Sequence, residues 1–279
     1  MKVKIFSIYK DYTNLKRNSK REIEKTIKNN VKRTSDGYAG FRTISYLVDY
    51  AWQKEADVSD LKAVTKILNK SDIKKRTLIL LKKCNHILST SQVNVFIFPY
   101  SKTARNRKVS NDLRGVTAYT PWARNFLLFL HPQRGWKKYF DMTITHEYNH
   151  SVRMQYFNPY SKERTILDHI ILEGMADNFV KRITGIIPTW AKPFSNKVEK
   201  KILAKIKGKV LRKDSYYNFH EKMGIMFGNR KFPHWTGYRI GYSIVNSFLL
   251  KNPEISFEKL VKMGSLKILK GSSYWKSLL

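Results

Sequence analysis

Cysteine, acidic residues and long apolar runs are all scarce in this sequence of 279 residues. The single cysteine, Cys84, excludes an intrachain disulfide and a zinc finger, since both need paired thiols. Apolar runs such as 126–130 are far shorter than the roughly 20 residues of a membrane-spanning helix, so we expect no span. Residues 1–10 lack the apolar core and cleavage site of a secretory signal, and we therefore expect a cytoplasmic protein.

The shortage of acids leaves a strong positive charge. Lysine and arginine number 54 against 21 aspartates and glutamates, which gives a formal net charge of +33 at pH 7. Such a chain attracts anions and could be drawn to anionic surfaces. Lysine and asparagine are also residues that AT-rich coding favours, and no aromatic RNP-type strand is present. We therefore do not expect nucleic-acid binding as the main function, and the sequence leaves the oligomeric state open.

Apolar periodicity indicates an α+β fold that is mainly helical, and a hydrophobic fraction of 42% is ample for a core. Strands are predicted over 3–9 and 93–98, and a hairpin over 115–120 and 126–130. The helical patterns cover 16–32, 42–56, 59–68, 71–88, 136–155, 165–184, 197–213 and 234–251. No linker separates domains, so we expect one compact unit over 1–279. It comprises a mainly helical part over 1–92 and a second part over 93–279.

A metal-binding pattern lies in the middle of the helix predicted over 136–155. The residues His146-Glu147-Tyr148-Asn149-His150 form an H-E-x-x-H motif. Histidines four residues apart rise about 6 Å along one helix face, so both imidazoles can reach a single zinc ion. Glu147 then lies beside the open coordination position. This arrangement is typical of a hydrolytic zinc site.

Two histidines leave such a site without a third protein ligand, which a carboxylate on a neighbouring helix commonly supplies. Glu173 lies 23 residues after His150 on the next predicted helix, far enough for an antiparallel return. Asp177 shares its helix face and could accept the free ring N–H of a zinc histidine. Small residues at Gly174 and Ala176 would allow this helix to approach the zinc helix closely. The alternative interpretation of Glu173 is a solvated or ion-paired acid.

Other zinc classes can be tested by spacing. A third histidine six residues after the second would need glycine at position 153 and histidine at position 156, where the chain has Arg153 and Tyr156. That class is excluded.

A second polar motif lies on the last long predicted helix, in Gly237-Tyr238-Arg239-Ile240-Gly241-Tyr242. Two tyrosines four apart share a face, and a phenol from Tyr238, or else Tyr242, could stabilise a developing oxyanion. Helix packing with satisfied hydroxyls is the alternative interpretation. His234, before this helix, and His131, at the end of a predicted strand, could each face the same cleft.

On these residues the sequence resembles gluzincin-type zinc peptidases, and more closely the YjaZ-like family of predicted zinc-dependent proteases. The matching segments are the strand region with Gly115-Val116-Thr117 and 126–130, the H-E-x-x-H motif, Glu173-Gly174-Met175-Ala176-Asp177 and the Gly-Tyr motif, together spanning 115–245. The resemblance implies a zincin-like fold with a small sheet packed beside the H-E-x-x-H helix. It also implies zinc-dependent peptide hydrolysis with Glu173 as third ligand.

We therefore predict one Zn²⁺ per chain held by His146, His150 and Glu173, with Glu147 as the general base acting on a peptide or protein substrate. Hydrolysis of a non-peptide amide by the same site is one alternative. Another is a non-catalytic zinc-containing binding or regulatory protein that uses its cationic surface, formed by the basic segments 101–110 and 197–213. Nucleophilic catalysis and nucleotide hydrolysis are not expected, because no local Ser-His-Asp pattern or glycine-rich phosphate loop occurs.

Overall fold

A computed structural model describes residues 1–14, 58–101, 112–158, 161, 163–213 and 218–278 of the chain. These residues form two compact units, Met1–Ser151 and Val152–Leu279. The predicted helices over 16–32 and 42–56, and nearly all of the basic segment over 101–110, lie outside the described residues. The single compact unit predicted for 1–279 stays a prediction. The α+β, mainly helical class is confirmed.

The first unit combines a small sheet with three described helices. Its strands are β1 (Lys2–Phe6), β2 (Gln92–Pro99), β3 (Val116–Trp122) and β4 (Asn125–Leu130). Its helices are α1 (Val58–Asn69), α2 (Ile73–Ile87) and α3 (Trp136–Arg153). The last two residues of α3 belong to the second unit. The predicted strand over 93–98 and the hairpin over 115–120 and 126–130 are confirmed. The helices predicted over 59–68, 71–88 and 136–155 are also confirmed.

The sheet has the strand order β1-β2-β4-β3. The strands β1, β2 and β4 run parallel, while β3 returns antiparallel to β4 through a tight turn in which Arg124 has a positive φ of 63°. Both central strands are buried almost throughout, which explains why their sequences are continuous apolar runs instead of alternating ones. The edge strand β3 carries the polar and exposed positions.

The strand predicted over 3–9 ends earlier than expected. Its ladder with β2 stops at the pair Phe6↔Phe96, and the chain then turns into a 3₁₀ helix over Ile8–Asn14. Ile8 and Tyr9 are buried there. The sequence predicts a longer strand because a short apolar run fits a strand and a packed helical turn equally well.

The second unit is helical. Its helices are α4 (Ile166–Thr184), α5 (Asn196–Ile206), α6 (Phe219–Phe227), α7 (Thr236–Lys251), α8 (Phe257–Leu260), α9 (Ser265–Gly271) and α10 (Trp275–Leu278), with a 3₁₀ turn at Thr189–Ala191. The helices predicted over 165–184 and 234–251 are confirmed. A capping box between Thr165 and Asp168 begins α4, and Gly185, with φ 72°, ends it.

The cationic helix predicted over 197–213 is shorter than expected. It ends at Ile206, and Gly208 then adopts a left-handed φ of 69°. Beyond that turn the carbonyls of Val210 and Arg212 accept hydrogen bonds from the backbone N–H groups of Leu167 and Ile166. Those N–H groups belong to the first turn of α4 and have no partner inside that helix, so the extended segment satisfies them.

None of the helices in the described ranges has the length and apolar character needed to cross a membrane.

Candidate metal centre

The helix α3 that carries the H-E-x-x-H motif is buried along most of its length and is anchored within the first unit. Tyr148 points away from the two histidines, and its hydroxyl donates to the carbonyl of Leu88 at 2.6 Å. Burial raises the pKa of Tyr148, which keeps this donor protonated. At the start of the helix Asp141 accepts a bidentate contact from Arg76 in α2. These anchors fix the rotation of α3 and therefore the face on which its histidines lie.

The two histidines of the motif form a close pair. The ring centroids of His146 and His150 are 4.4 Å apart, with the ring planes nearly perpendicular. Each residue is 6% exposed, as is Glu147 between them in the sequence. Two imidazoles and a carboxylate are donors that zinc accepts, and their low exposure suits a site with restricted access to water. The residues present on α3 therefore fit a zinc ion.

The carboxylate of Glu147 has a partner that the sequence did not indicate. The hydroxyl of Thr120, in β3, donates to Oε2 of Glu147 at 2.5 Å. Both side chains are buried. The only local sign in the sequence is Thr120-Pro121 inside a strand pattern, where proline signals an edge or a bulge.

His131 lies at the end of β4 in the first unit. Its ring Nε2 is 3.2 Å from Oδ1 of Asp60 in α1, and the other oxygen of Asp60 accepts from the hydroxyl of Ser101. His131 is thus tied to a carboxylate that the sequence analysis did not connect with it. Its place in a catalytic cleft stays a prediction.

The predicted carboxylates of the second unit both lie on α4. Glu173 is half-buried and Asp177 is fully buried. Oδ1 of Asp177 accepts a hydrogen bond from the indole Nε1 of Trp190 at 2.9 Å. Trp190 is a further residue that the sequence analysis missed, since it lies in a 3₁₀ turn with no motif of its own. The roles of Glu173 as third ligand and of Asp177 as the partner of a zinc histidine stay predictions.

The glycines of the two motifs in the second unit bring α4 and α7 together. The nearest atoms to a Cβ built on Gly174 are backbone atoms of Gly241, and a Cβ on Gly241 would meet the carbonyl oxygen of Ile170. Gly241 of the Gly-Tyr motif therefore permits the close approach of these two helices. The expectation that Gly174 and Ala176 allow α4 to approach the zinc helix stays a prediction.

The tyrosines of the Gly-Tyr motif have different surroundings. The ring of Tyr238 is half-buried and packs edge-on against Trp235, with Phe227 on another side. Tyr242 is buried, and Nζ of Lys181 lies 6.0 Å from its ring centroid. The ring of His234 contacts Trp235 at a centroid distance of 4.8 Å. Tyr238 and His234 therefore share one aromatic cluster around Trp235.

Comparison with known sequences identifies the family. A family model described as "Predicted Zn-dependent protease (DUF2268)" matches residues 73–270. The chain belongs to this family. The matched residues include α3 with its histidine pair, α4 with Glu173 and Asp177, and α7 with the Gly-Tyr motif.

One curated relative is the "Uncharacterized protein YjaZ" of Bacillus subtilis (strain 168), which is 31% identical over 113 residues. The aligned part amounts to 38% of this chain and 41% of the relative, so the chain spans about two fifths of the length of that protein. No solved structure matches the chain. The description of the family names a dependence on zinc and a predicted protease activity.

Proposed function

We propose that this chain is a zinc-dependent peptidase that holds one zinc ion through His146, His150 and Glu173. The observation that carries the proposal is the pair of buried imidazoles on one face of α3, with the buried carboxylate of Glu147 adjoining it. We assign Glu173 as the third ligand because it begins the segment Glu173-Gly174-Met175-Ala176-Asp177 on α4, which is one of the segments that resemble the family. Zinc in such a site supplies Lewis-acid chemistry, which activates water and polarises a scissile carbonyl.

The residues of the chain divide the remaining work. Glu147 takes the proton of the attacking water and delivers it to the leaving amine, as a general base and then a general acid. The carboxylate of Asp177 accepts a hydrogen bond from the ring N–H of a ligand histidine and so orients that histidine. The phenol O–H of Tyr238 donates a hydrogen bond to the developing oxyanion, with Tyr242, His234 and His131 as further cleft residues.

We infer that the substrate is an extended peptide. β3 is an edge strand of the sheet formed by the described residues, and its Thr120 contacts Glu147 directly. An extended peptide that pairs with the outer edge of β3 would add a strand and run past that carboxylate. Main-chain pairing accounts for affinity toward many sequences, which suits a peptidase better than hydrolysis of a small non-peptide amide.

The decisive experiment compares wild type with Glu147→Gln on a mixed peptide library, after zinc reconstitution and metal analysis. We expect both chains to hold zinc, and hydrolysis by Glu147→Gln to be at least about 10²-fold slower, because the variant loses a proton carrier but no ligand. Equal turnover would show that Glu147 is not the base. A zinc-loaded wild type that binds peptides without cleaving any would favour the non-catalytic alternative, in which the cationic surface serves binding.

A further inference from the structure

The edge strand β3 is interrupted by a β-bulge next to the candidate metal centre. Tyr119 pairs with Leu127 and Trp122 with Asn125, so two residues of β3, Thr120 and Pro121, lie opposite the single residue Phe126. A bulge of this kind bends the strand and changes the direction of a side chain. Pro121 has no backbone N–H to lose from the ladder, which makes it a compatible residue at this position.

The exposure of β3 changes at the bulge. Thr120 and Pro121 are both buried, whereas the preceding Tyr119 is 41% exposed. The Thr120 hydroxyl lies inside the unit, where it meets Glu147 of α3. Thr120 is 3% exposed.

The contact itself is short and well supported. The Thr120 hydroxyl donates to Oε2 of Glu147 at 2.5 Å, and the backbone carbonyl of Glu147 lies 3.3 Å from the same hydroxyl. Hydrogen bonds to a carboxylate are shorter and stronger than those to neutral acceptors. The β3–β4 turn is also tied to α3, because the N–H of Arg124 donates to the carbonyl of Ser151 at 3.0 Å. The hairpin is thus held at two points along the helix.

We propose that Thr120 is a positioning residue, whose hydroxyl fixes one carboxylate oxygen of Glu147 so that the other is held ready for proton transfer. This inference rests on the proposed peptidase function. A glutamate side chain has three rotatable bonds, and an unrestrained carboxylate would populate several rotamers. Threonine suits the task because its branched Cβ restricts χ1 and keeps the hydroxyl in one direction.

Three variants test the role in catalysis. Thr120→Val keeps the shape and removes the donor, and we expect kcat to fall about 10- to 100-fold with KM within about twofold, since misplacing a catalytic group by 1 Å costs on the order of 10². Thr120→Ser restores the hydroxyl and should recover most of kcat. Thr77→Val in α2 is the matched control, because Thr77 is a fully buried threonine that donates to the Ile73 carbonyl away from the site. It should leave kcat unchanged.

A second readout separates this inference from the peptidase proposal. In the full-length chain labelled with ¹³C at the glutamate carboxyl carbons, the Glu147 signal is identified by its absence in Glu147→Gln. Thr120→Val should displace that signal, Thr120→Ser should return it toward the wild-type position, and Thr77→Val should not move it. If wild type cleaves no peptide, the peptidase proposal fails, and this signal alone decides about Thr120. An unmoved signal in Thr120→Val, or a loss of kcat that Thr120→Ser does not rescue, overturns the inference.

Discussion

Gly174 in α4 and Gly241 in α7 are in backbone contact: a Cβ on Gly174 would stand 2.1 Å from the carbonyl carbon and oxygen of Gly241. The neighbour is backbone, so it cannot give way by rotating a side chain. This contact lies one residue from Glu173 and three residues from both Asp177 and Tyr238. The spacing of the two helices therefore sets the positions of the polar side chains proposed for the site.

We expect Gly174→Ala to lower the free energy of unfolding by about 2 kcal/mol or more. A Cβ 2.1 Å from backbone atoms puts the cost of overpacking at the upper end of its usual range, about 3 kcal/mol, and the gain from replacing a helical glycine with alanine is only about 0.5–1 kcal/mol. Urea unfolding of the full chain measures the change. Gly264→Ala is the matched control, because Gly264 is exposed, has φ −67° and has open space where the Cβ would go. The control should cost less than about 1 kcal/mol, and an equal loss in both variants would contradict the backbone contact.

The ligand assignment predicts about one zinc per chain, and weaker zinc retention by at least about tenfold in each of His146→Ala, His150→Ala and Glu173→Ala. Each variant removes a donor atom that no other residue is expected to replace. Competition with a chromogenic chelator measures the affinity. His86→Ala and Glu254→Ala, which change an exposed histidine and an exposed glutamate, serve as matched controls and should retain zinc as wild type does. Unchanged affinity in Glu173→Ala would place the third ligand elsewhere.

Asp177 offers a test that separates support of the metal from support of the fold. Asp177→Asn keeps an oxygen that can accept from the Trp190 indole, but it removes the negative charge that would hold a ligand histidine. We expect zinc affinity to fall about 10- to 100-fold with little change in unfolding. Trp190→Phe should do the reverse, costing about 1–3 kcal/mol of stability by leaving a buried acceptor without its donor. If Asp177→Asn left zinc affinity unaltered, the carboxylate would serve Trp190 alone.

Cys84 should be inert in the native chain. It is fully buried in α2 with its Sγ 3.9 Å from the Thr145 hydroxyl on α3, and burial raises its pKa from 9.0 to about 12. Because only the thiolate reacts, the shift alone lowers the reactive fraction at pH 8 by about 10³. Ellman's reagent should therefore react at least about a hundredfold more slowly with native protein than with protein in urea. Cys84→Ala gives the background rate, and rapid native labelling would show that α2 and α3 separate readily.

The same pKa shift sets the direction of a pH effect. The folded chain keeps the Cys84 proton up to about pH 12, whereas the unfolded thiol loses it near pH 9.0. Unfolding then releases a proton between these values, so this residue makes the folded state less stable as pH rises through that window. Below pH 9 it contributes no pH dependence, and Cys84→Ala should abolish this part of the alkaline loss of stability.

Local patterns in the sequence were reliable where a helix or strand depends on its own residues. The spacing of His146 and His150 requires only helical geometry, and α3 brings their rings side by side as that spacing predicts. The apolar run of β2 and the capping residues Thr165 and Gly185 of α4 were equally readable. The sequence predicts the cationic helix to continue past Ile206, whereas the following segment is extended because its carbonyls accept hydrogen bonds from the distant N–H groups of α4.

The sequence by itself therefore determined the fold class, the family and the face of α3 on which the histidines lie. Only the tertiary structure decided that Thr120 reaches Glu147 across 27 residues, that Asp177 accepts from Trp190, and that Gly174 meets Gly241. Helical spacing follows from bonds within one segment, so it can be read from the order of residues. The three contacts depend on a bulge, a loop and a helix crossing, whose geometry is set by packing between segments that are far apart in the chain.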